Sequence, residues 1–316
     1  MYTLKKDFPT DSIDVDSEEY CFEYCSTEKT EKESDEAVTY PPVLYSEKGR
    51  YKPLLGRHIL KRYAGLKKHI PWALVIQGSV SPQDAVRCSI HLKVQMGKFT
   101  AVEKALALRR LYSMHDAVDD SLLRLLDIPG NDRMLQCYLK LADAPVYIKD
   151  MVTRGVMHEN TAFEILNMES DSWVPVARFI GEIALGTRKR NEILRMLRDI
   201  ARRDRIEVVD IMENGHVKGI LHDAGIDPPH RGMKLYRYIR NKRFPSIHEY
   251  EEQFEKKLGD VHLDGKFHLI LPENFEKWEF KLVIPFSSAE EFRQNVEALK
   301  KTGEQPSFEE LMSMRY

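Results

Sequence analysis

The chain has 316 residues, a formal net charge of −2, and a composition that is 42% hydrophobic and 31% charged. This length can bury the cores of two or three modest domains. No stretch approaches the roughly 18 apolar residues that a membrane span needs, and the N-terminus lacks the apolar core of a secretory signal. We therefore expect a cytoplasmic protein, with no membrane partner, whose four cysteines are free thiols in a reducing compartment.

The near-neutral total hides blocks of opposite charge. Residues 1–50 carry 13 acidic and 6 basic side chains, whereas residues 51–69 carry 6 basic and no acidic ones. Two later blocks are also basic: residues 187–205 hold 8 bases and 3 acids, and residues 231–243 hold 6 bases and no acid. Such blocks indicate either contact with a polyanion or solvated helix faces.

The first 80 residues are predicted to form a small α/β unit. A short strand is expected near Tyr20–Tyr24, followed by a polar loop or solvated helix over Ser26–Ala37. Two further strands, "PPVLY" and "RYKPLL", lead to Gly56, which opens the helix "RHILKRYA" that Gly65 closes. The stretch "PWALVIQG" then predicts the next strand.

Residues 81–212 are predicted to be entirely helical. Ser81 is a candidate N-cap, with Pro82 at the first helical position. Thr100 is followed three residues later by Glu103, which is the pattern of a capping box. Helical patterns then repeat with only short breaks, so this region is expected to be an all-α domain.

The remaining chain is predicted to contain a linker and a small C-terminal module. Residues 213–230 are rich in Gly and Pro and are interpreted as the linker. Residues 231–316 predict a helix over Arg231–Arg243, another after Pro245, two strands, and a capped helix in "SSAEEFRQNVEALKK". The predicted fold class is therefore α+β.

The stretch Asp120–Ala142 has the layout of a helix-turn-helix. A helix over Asp120–Leu126 meets a turn, and a second helix begins after Asn131, a good N-cap. An ordinary αα-hairpin in a helical bundle has the same pattern. In a helix-turn-helix, Arg133 and Gln136 would read base edges and Lys140 would meet phosphate. The side chains expected on the outer edge, where they would contact DNA, are Asn131, Asp132, Arg133, Gln136, Cys137 and Lys140.

The order of segments resembles that of the ParB-like partition proteins. "FPTDSIDV" is similar to the family's opening strand, and "YKPLLGRHILKRYAGLKKHIPWALVI" to its first phosphate-binding box with the following helix and strand. "FTAVEKALALRRL" resembles the helix start that precedes the helix-turn-helix. "NDRMLQCYLKLADAP" resembles the recognition helix, and "DMVTRGVMHENTAFEIL" the helix pair beyond it. The resemblance covers roughly residues 7–205, and the C-terminal module resembles the tails of a divergent subgroup.

This resemblance implies a nucleotide pocket that takes CTP, but the boxes depart from the family's pattern. Ile59 stands where an arginine is expected, and Leu92, Lys93 and Met96 replace the polar residues of the second box. A triphosphate with Mg²⁺ needs oxygen ligands and guanidinium or backbone donors, which Leu92 and Met96 do not offer. We therefore expect a degenerate pocket and no cofactor, with CTP as the remaining candidate. The residues that would hold an anion are Gly56, Arg57, His58 and Lys61.

The sequence thus predicts a DNA-binding protein, associated with the nucleoid or a plasmid, that binds rather than turns over its ligand. Two copies would bind double-stranded DNA as a homodimer, and a ParA-type ATPase is a candidate partner. Arg188, Lys189 and Arg190 are expected to add phosphate contacts. Two alternatives stay open: a CTP-dependent clamp with unusual pocket residues, and a transcription regulator that uses the same helix-turn-helix.

Overall fold

A computed structural model describes residues 2–24, 40–47, 49–78, 80–97, 99–114, 120–261, 267–270 and 280–314. The polar loop or helix predicted over Ser26–Ala37 lies outside these ranges. The described chain forms a four-stranded sheet, a large helical body, and a C-terminal group of helices with a two-stranded sheet. This arrangement confirms the predicted α+β class.

The N-terminal unit contains a four-stranded sheet and one helix. Its elements are β1 (Tyr2–Phe8), β2 (Val43–Glu47), β3 (Arg50–Leu55), α1 (Arg57–Gly65) and β4 (Ile70–Ile76). The strand order is β1-β4-β2-β3, in which β2 pairs antiparallel with β3 and parallel with β4. Leu44, Leu60, Ile70 and Val75 are buried between the sheet and α1, where alternating side chains of the strands face one side.

Two strand predictions in this unit are wrong. The opening strand, predicted in "FPTDSIDV", lies earlier, at Tyr2–Phe8, and Thr10–Ser12 forms a single 3₁₀ turn. The stretch Tyr20–Tyr24 has no regular secondary structure, although Tyr20 and Phe22 are buried. Alternation of apolar and polar residues predicts a strand only where a neighbouring strand can take up the backbone hydrogen bonds.

Helices form the body of the protein. Ser81 accepts a hydrogen bond from the backbone N–H of Asp84, and Thr100 with Glu103 forms the predicted capping box. The elements are α2 (Pro82–Met96), α3 (Ala101–Ser113), α4 (Asp120–Leu125), α5 (Asp132–Asp143), α6 (Val146–Thr153), α7 (Glu159–Leu166), α8 (Trp173–Glu182), α9 (Thr187–Asp204), α10 (Val208–Glu213), α11 (Gly215–Leu221) and α12 (Pro228–Arg243).

The segment predicted as a linker is partly helical and packed. Val217, Ile220 and Leu221 of α11 are buried in the same core as the rest of the helical body. Helix α12 joins this core through Leu235 and Ile239, although the sequence pattern assigned it to the C-terminal module. Proline is compatible with the first turn of a helix, because the backbone N–H groups there have no intrahelical acceptor. The Gly/Pro content of residues 213–230 was therefore not evidence against helix.

The C-terminal unit has a small core of its own. It contains α13 (Pro245–Gly259), β5 (His268–Ile270), β6 (Lys281–Val283), α14 (Ala289–Gly303) and α15 (Pro306–Ser313). Strands β5 and β6 pair antiparallel, and the buried residues include Tyr250, Phe254 and Leu311. Among the helices that the structure describes, none is both long and apolar enough to cross a membrane.

Gly56 connects β3 to α1 in a conformation that other residues resist. Its φ is +82°, and an added Cβ would lie 2.9 Å from the Cβ and 3.0 Å from the Cα of Pro42. We predict that Gly56→Ala lowers the free energy of unfolding by about 2–4 kcal/mol, from left-handed strain and the displacement of Pro42. Urea denaturation measures this loss. The control is Gly65→Ala in the same helix, where an added Cβ meets nothing within 4 Å; an equal loss in both variants would contradict the explanation.

Candidate nucleic-acid interface and nucleotide pocket

Helices α4 and α5, joined by a short turn, lie where the sequence predicts a helix-turn-helix. Asp127, in the turn between them, has a φ of +53°, and the N–H of Ile128 donates to the carbonyl of Leu123 at 2.9 Å. Asn131 caps α5 as predicted, because its side chain accepts from the N–H of Met134 at 3.0 Å. The side chain of Asn131 is therefore the N-cap of α5, and this bond fixes the direction in which α5 leaves the turn.

The inner side of α5 is anchored in the core. The rings of Tyr138 and Phe163 meet edge to face, with centroids 5.1 Å apart, and the hydroxyl of Tyr138 donates to Glu159. Burial and the charge of Glu159 raise the pKa of Tyr138 above its usual range. Cys137 is only 6% exposed, so its predicted place on the outer edge is wrong. It lies one turn before the fully buried Leu141 and therefore shares the inner face of the helix.

The outer edge of α5 is open to solvent. Asn131, Asp132, Arg133, Gln136 and Lys140 are all exposed. The last three lie at i, i+3 and i+7, so they project from one face of the helix. The amine of Lys140 also donates to the side-chain oxygen of Asn167 at 3.0 Å, which holds it beside the end of α7. This edge has the exposure that reading a DNA groove requires.

The helix pair itself has no excess of positive charge. Residues 120–143 carry three basic and four acidic side chains, a net charge of −1. Asp127 and Asp143 are paired with Lys104 and Arg109, at 3.0 and 3.1 Å. Affinity for the phosphates of DNA comes mainly from the counterions that basic side chains release. The α4–α5 pair can therefore supply base contacts but little of the phosphate affinity.

Of the three basic residues at the start of α9, only Arg188 is largely exposed, and it is paired with Glu192 at 3.1 Å. The side chain of Arg188 is 93% exposed. The amine of Lys189 lies over the ring of Tyr236 in α12, 5.5 Å from its centroid. Arg190 donates to the carbonyls of Ile183 and Val156, both at 2.9 Å, and burial lowers its pKa. Lys189 and Arg190 thus hold α9 against its neighbours, which leaves Arg188 open to a ligand.

At the predicted nucleotide pocket, the basic side chains are paired with the chain's own carboxylates. Arg57 is buried, and its guanidinium donates to Glu18 at 2.9 Å and to the backbone carbonyl of Glu23 at 2.6 Å. Lys61 is paired with Asp16 at 3.0 Å. The cationic groups expected to bind an anion at the start of α1 are therefore paired with carboxylates from residues 16–23.

The carboxylate of Glu23 lies at the N-terminal end of α1. It is 4% exposed and accepts a hydrogen bond from the backbone N–H of Arg57 at 2.7 Å, while the Nδ1 atom of His58 lies 3.3 Å away. Burial raises the pKa of Glu23, but His58, the backbone N–H of α1 and the charge of Lys93 outweigh burial and lower it to about 2. A helix N-terminus favours negative charge. Glu23 thus occupies the position expected for an anionic ligand.

The second predicted box connects two helices of the body. Lys93 in α2 is paired with Glu103 in α3 at 3.0 Å. Leu92 and Met96 carry no oxygen ligand for a metal, as the sequence indicated, and Met96 is largely exposed. Within the described ranges, no three His, Cys, Asp or Glu side chains cluster in a way that could hold a metal ion.

Residues 18–24, which we call the acidic strap, also tie the N-terminal unit to the helices. Glu19 accepts from Arg110 of α3 at 3.2 Å. The hydroxyl of Tyr24 donates to the buried Asp150 of α6 at 2.9 Å. Sequence reasoning missed this role, although the acidic excess before residue 50 and the basic block after it were a signal of complementary charge.

Comparison with known proteins gave a distant structural likeness. No family model matches the chain, and no curated protein matches it. Among solved structures it is similar to the C-terminally truncated chromosome-partitioning protein ParB from Caulobacter crescentus, which was complexed with CTP-γ-S. The identity is 14% and the TM-score 0.21, over 56% of this chain and 97% of that one.

The buried charge of Glu23 predicts a pH-dependent stability. Its pKa falls from an ordinary value of 4.5 to about 2, so the charge stabilises the fold fully above pH 4.5, and this contribution is lost as the pH falls towards 2. We predict that Glu23→Gln lowers the free energy of unfolding at neutral pH by ~3 kcal/mol and flattens its decline in acid. Urea denaturation across this pH range tests both effects.

The matched control is Glu18→Gln. The carboxylate of Glu18 is also paired with Arg57, but its side chain is 75% exposed. Exposed ion pairs contribute at most about 1 kcal/mol, so this variant should lose little stability. If both variants lose the same amount, the importance of burial at Glu23 is refuted.

Proposed function

We propose that this chain is a DNA-binding protein of the ParB-like partition class, which recognises a specific duplex site through α5. The observation that supports it is the outer edge of α5: Arg133, Gln136 and Lys140 are exposed on one face of a helix whose other face is anchored by Tyr138 and Leu141. A rigidly held second helix with a polar outer edge is what a helix-turn-helix inserts into the major groove.

Each exposed side chain has a role that follows from its chemistry. Arg133 donates two hydrogen bonds to the O6 and N7 atoms of guanine, and Gln136 pairs with the N6 and N7 atoms of adenine. Asp132, in the first turn of α5, can accept from the N4 group of cytosine. Lys140 lies farther along the helix and contacts phosphate, which sets position rather than sequence preference.

Two copies of the chain would bind a palindromic or repeated site. In helix-turn-helix dimers the two recognition helices enter successive major grooves about one helical turn apart. We assign self-assembly, and contact with a ParA-type partner ATPase, to the N-terminal and C-terminal units. The support is that α5 must stay uncovered to read bases, so assembly contacts belong elsewhere.

Recognition of DNA in this proposal does not require nucleotide turnover. Its support is the pairing of Arg57 and Lys61 with Glu18 and Asp16, and the position of Glu23 at the start of α1. The competing hypothesis is a CTP-dependent DNA clamp. Calorimetry with CTP and Mg²⁺, with and without DNA, separates the two: heat and phosphate release favour the clamp.

The roles of Arg133 and Lys140 predict different effects of their removal. We expect Arg133→Ala to weaken binding to a site selected from genomic DNA by about 1–3 kcal/mol, with little change on random duplex, because a base contact is lost. Lys140→Ala should weaken both duplexes alike and lower the salt slope by about one unit. Fluorescence anisotropy at several salt concentrations measures both variants.

Arg293→Ala is the control, because Arg293 is an exposed arginine in α14, in the C-terminal unit. It should bind both duplexes like the parent. Parent-like binding of the selected site by both Arg133→Ala and Lys140→Ala would eliminate α5 as the recognition helix.

A further inference from the structure

Two basic blocks that are distant in sequence form one surface. Residues 187–205, which include α9, have a net charge of +5, and residues 231–243 of α12 carry six bases and no acid. The two helices pack side by side: the hydroxyl of Tyr236 donates to Glu192 at 2.8 Å. Basic charge from both blocks is thereby concentrated on one helix pair.

A groove of about 470 Å³ runs between α9 and α12. Its lining holds three arginines and one glutamate, an excess of positive charge that suits phosphate groups. The residues that define it are Arg188, Glu192 and Arg195 of α9, Tyr236 and Arg240 of α12, and Phe244 beyond it.

The two arginines of α9 are available to an incoming phosphate. The side chains of Arg188 and Arg195 are 93% and 65% exposed. They make ion pairs with Glu192 at 3.1 Å and with Glu164 at 3.5 Å, whose side chains are 33% and 19% exposed. Each carboxylate keeps a second partner if its arginine turns to a phosphate, because Glu192 also accepts from Tyr236 and Glu164 is also paired with Arg198. Both arginines lie on the same side of α9, two turns apart.

One helix links this groove to the edge of α5. Glu159 of α7 accepts from Tyr138 of α5, and the hydroxyl of Thr161, also in α7, donates to Asn191 of α9 at 2.7 Å. Because α7 packs on both helices, the groove and the recognition edge are held in a fixed relation. The α4–α5 pair has a net charge of −1, so beyond the single contact of Lys140 most of the phosphate affinity must come from a surface outside it.

We propose that the groove between α9 and α12 binds the phosphate backbone of duplex DNA, with Arg188 and Arg195 as its phosphate contacts. The inference rests on the proposed function, since it concerns the same DNA. It assigns base reading to α5 and phosphate affinity to the groove. Glu192 opposes the contact, because its carboxylate lies in the groove and competes for Arg188.

The test uses single-charge variants of the full chain and a random-sequence duplex. We expect Arg188→Gln and Arg195→Gln each to lower the salt slope by about 0.9 and to weaken binding about eightfold at about 0.1 M salt. Glu192→Gln should strengthen binding, because it removes a repelling charge. The control, Arg293→Gln, removes an exposed arginine that is likewise paired with a carboxylate of its own helix. Circular dichroism checks that each variant is folded.

The outcomes separate this inference from the proposed function. If Arg188→Gln and Arg195→Gln bind like Arg293→Gln, the groove assignment is overturned, while a loss of the selected site in Arg133→Ala still supports α5. If Arg133→Ala binds like the parent but the two groove variants lose affinity, the groove assignment is supported and the assignment of α5 as the recognition helix is refuted. Polyglutamate is then added as a competitor for the bound duplex. If it displaces the duplex as effectively as unlabelled duplex of equal charge, the groove binds an acidic protein and the assignment to DNA is overturned.

Discussion

The carboxylate of Glu23 at the start of α1 is the interaction on which the rest of the N-terminal half depends. It joins the backbone N–H of Arg57 and the ring of His58 to a segment that also contacts α3 and α6. A buried charge that loses its partners costs several kcal/mol. The acidic strap is therefore held in place, and it adds polar contacts between the sheet and the helical body, which also share one hydrophobic core.

These contacts change how the basic block after Gly56 is interpreted. As an isolated sequence, Arg57, His58 and Lys61 look like an anion site. In the folded chain each of them faces a carboxylate from residues 16–23. The net positive charge of the chain is concentrated on α9 and α12, where bases outnumber acids. In the function that we propose, base recognition at a near-neutral edge and phosphate affinity at a basic groove are tasks of separate surfaces, which suits their different physical requirements.

Several features followed directly from short-range patterns. The capping box of Thr100 and Glu103, the N-cap at Asn131 and the helix–turn–helix order of α4 and α5 were all predicted. Each depends on residues only a few positions apart. Cys137 was misplaced because it lies near the boundary between the inner and outer faces of α5, where helical periodicity alone does not assign a side.

The sequence by itself determined the α+β class, most helices, several of their caps and the candidate edge of α5, because hydrophobic periodicity and capping are local. Only the tertiary structure decided which charged residues pair, such as Glu23 with His58 and Arg243 with Asp199. It also decided that α9 packs against α12. Coulomb attraction acts between any opposite charges and carries no information about which partner along the chain is chosen. That choice is made by the packing of apolar faces, which brings residues more than 30 positions apart into contact.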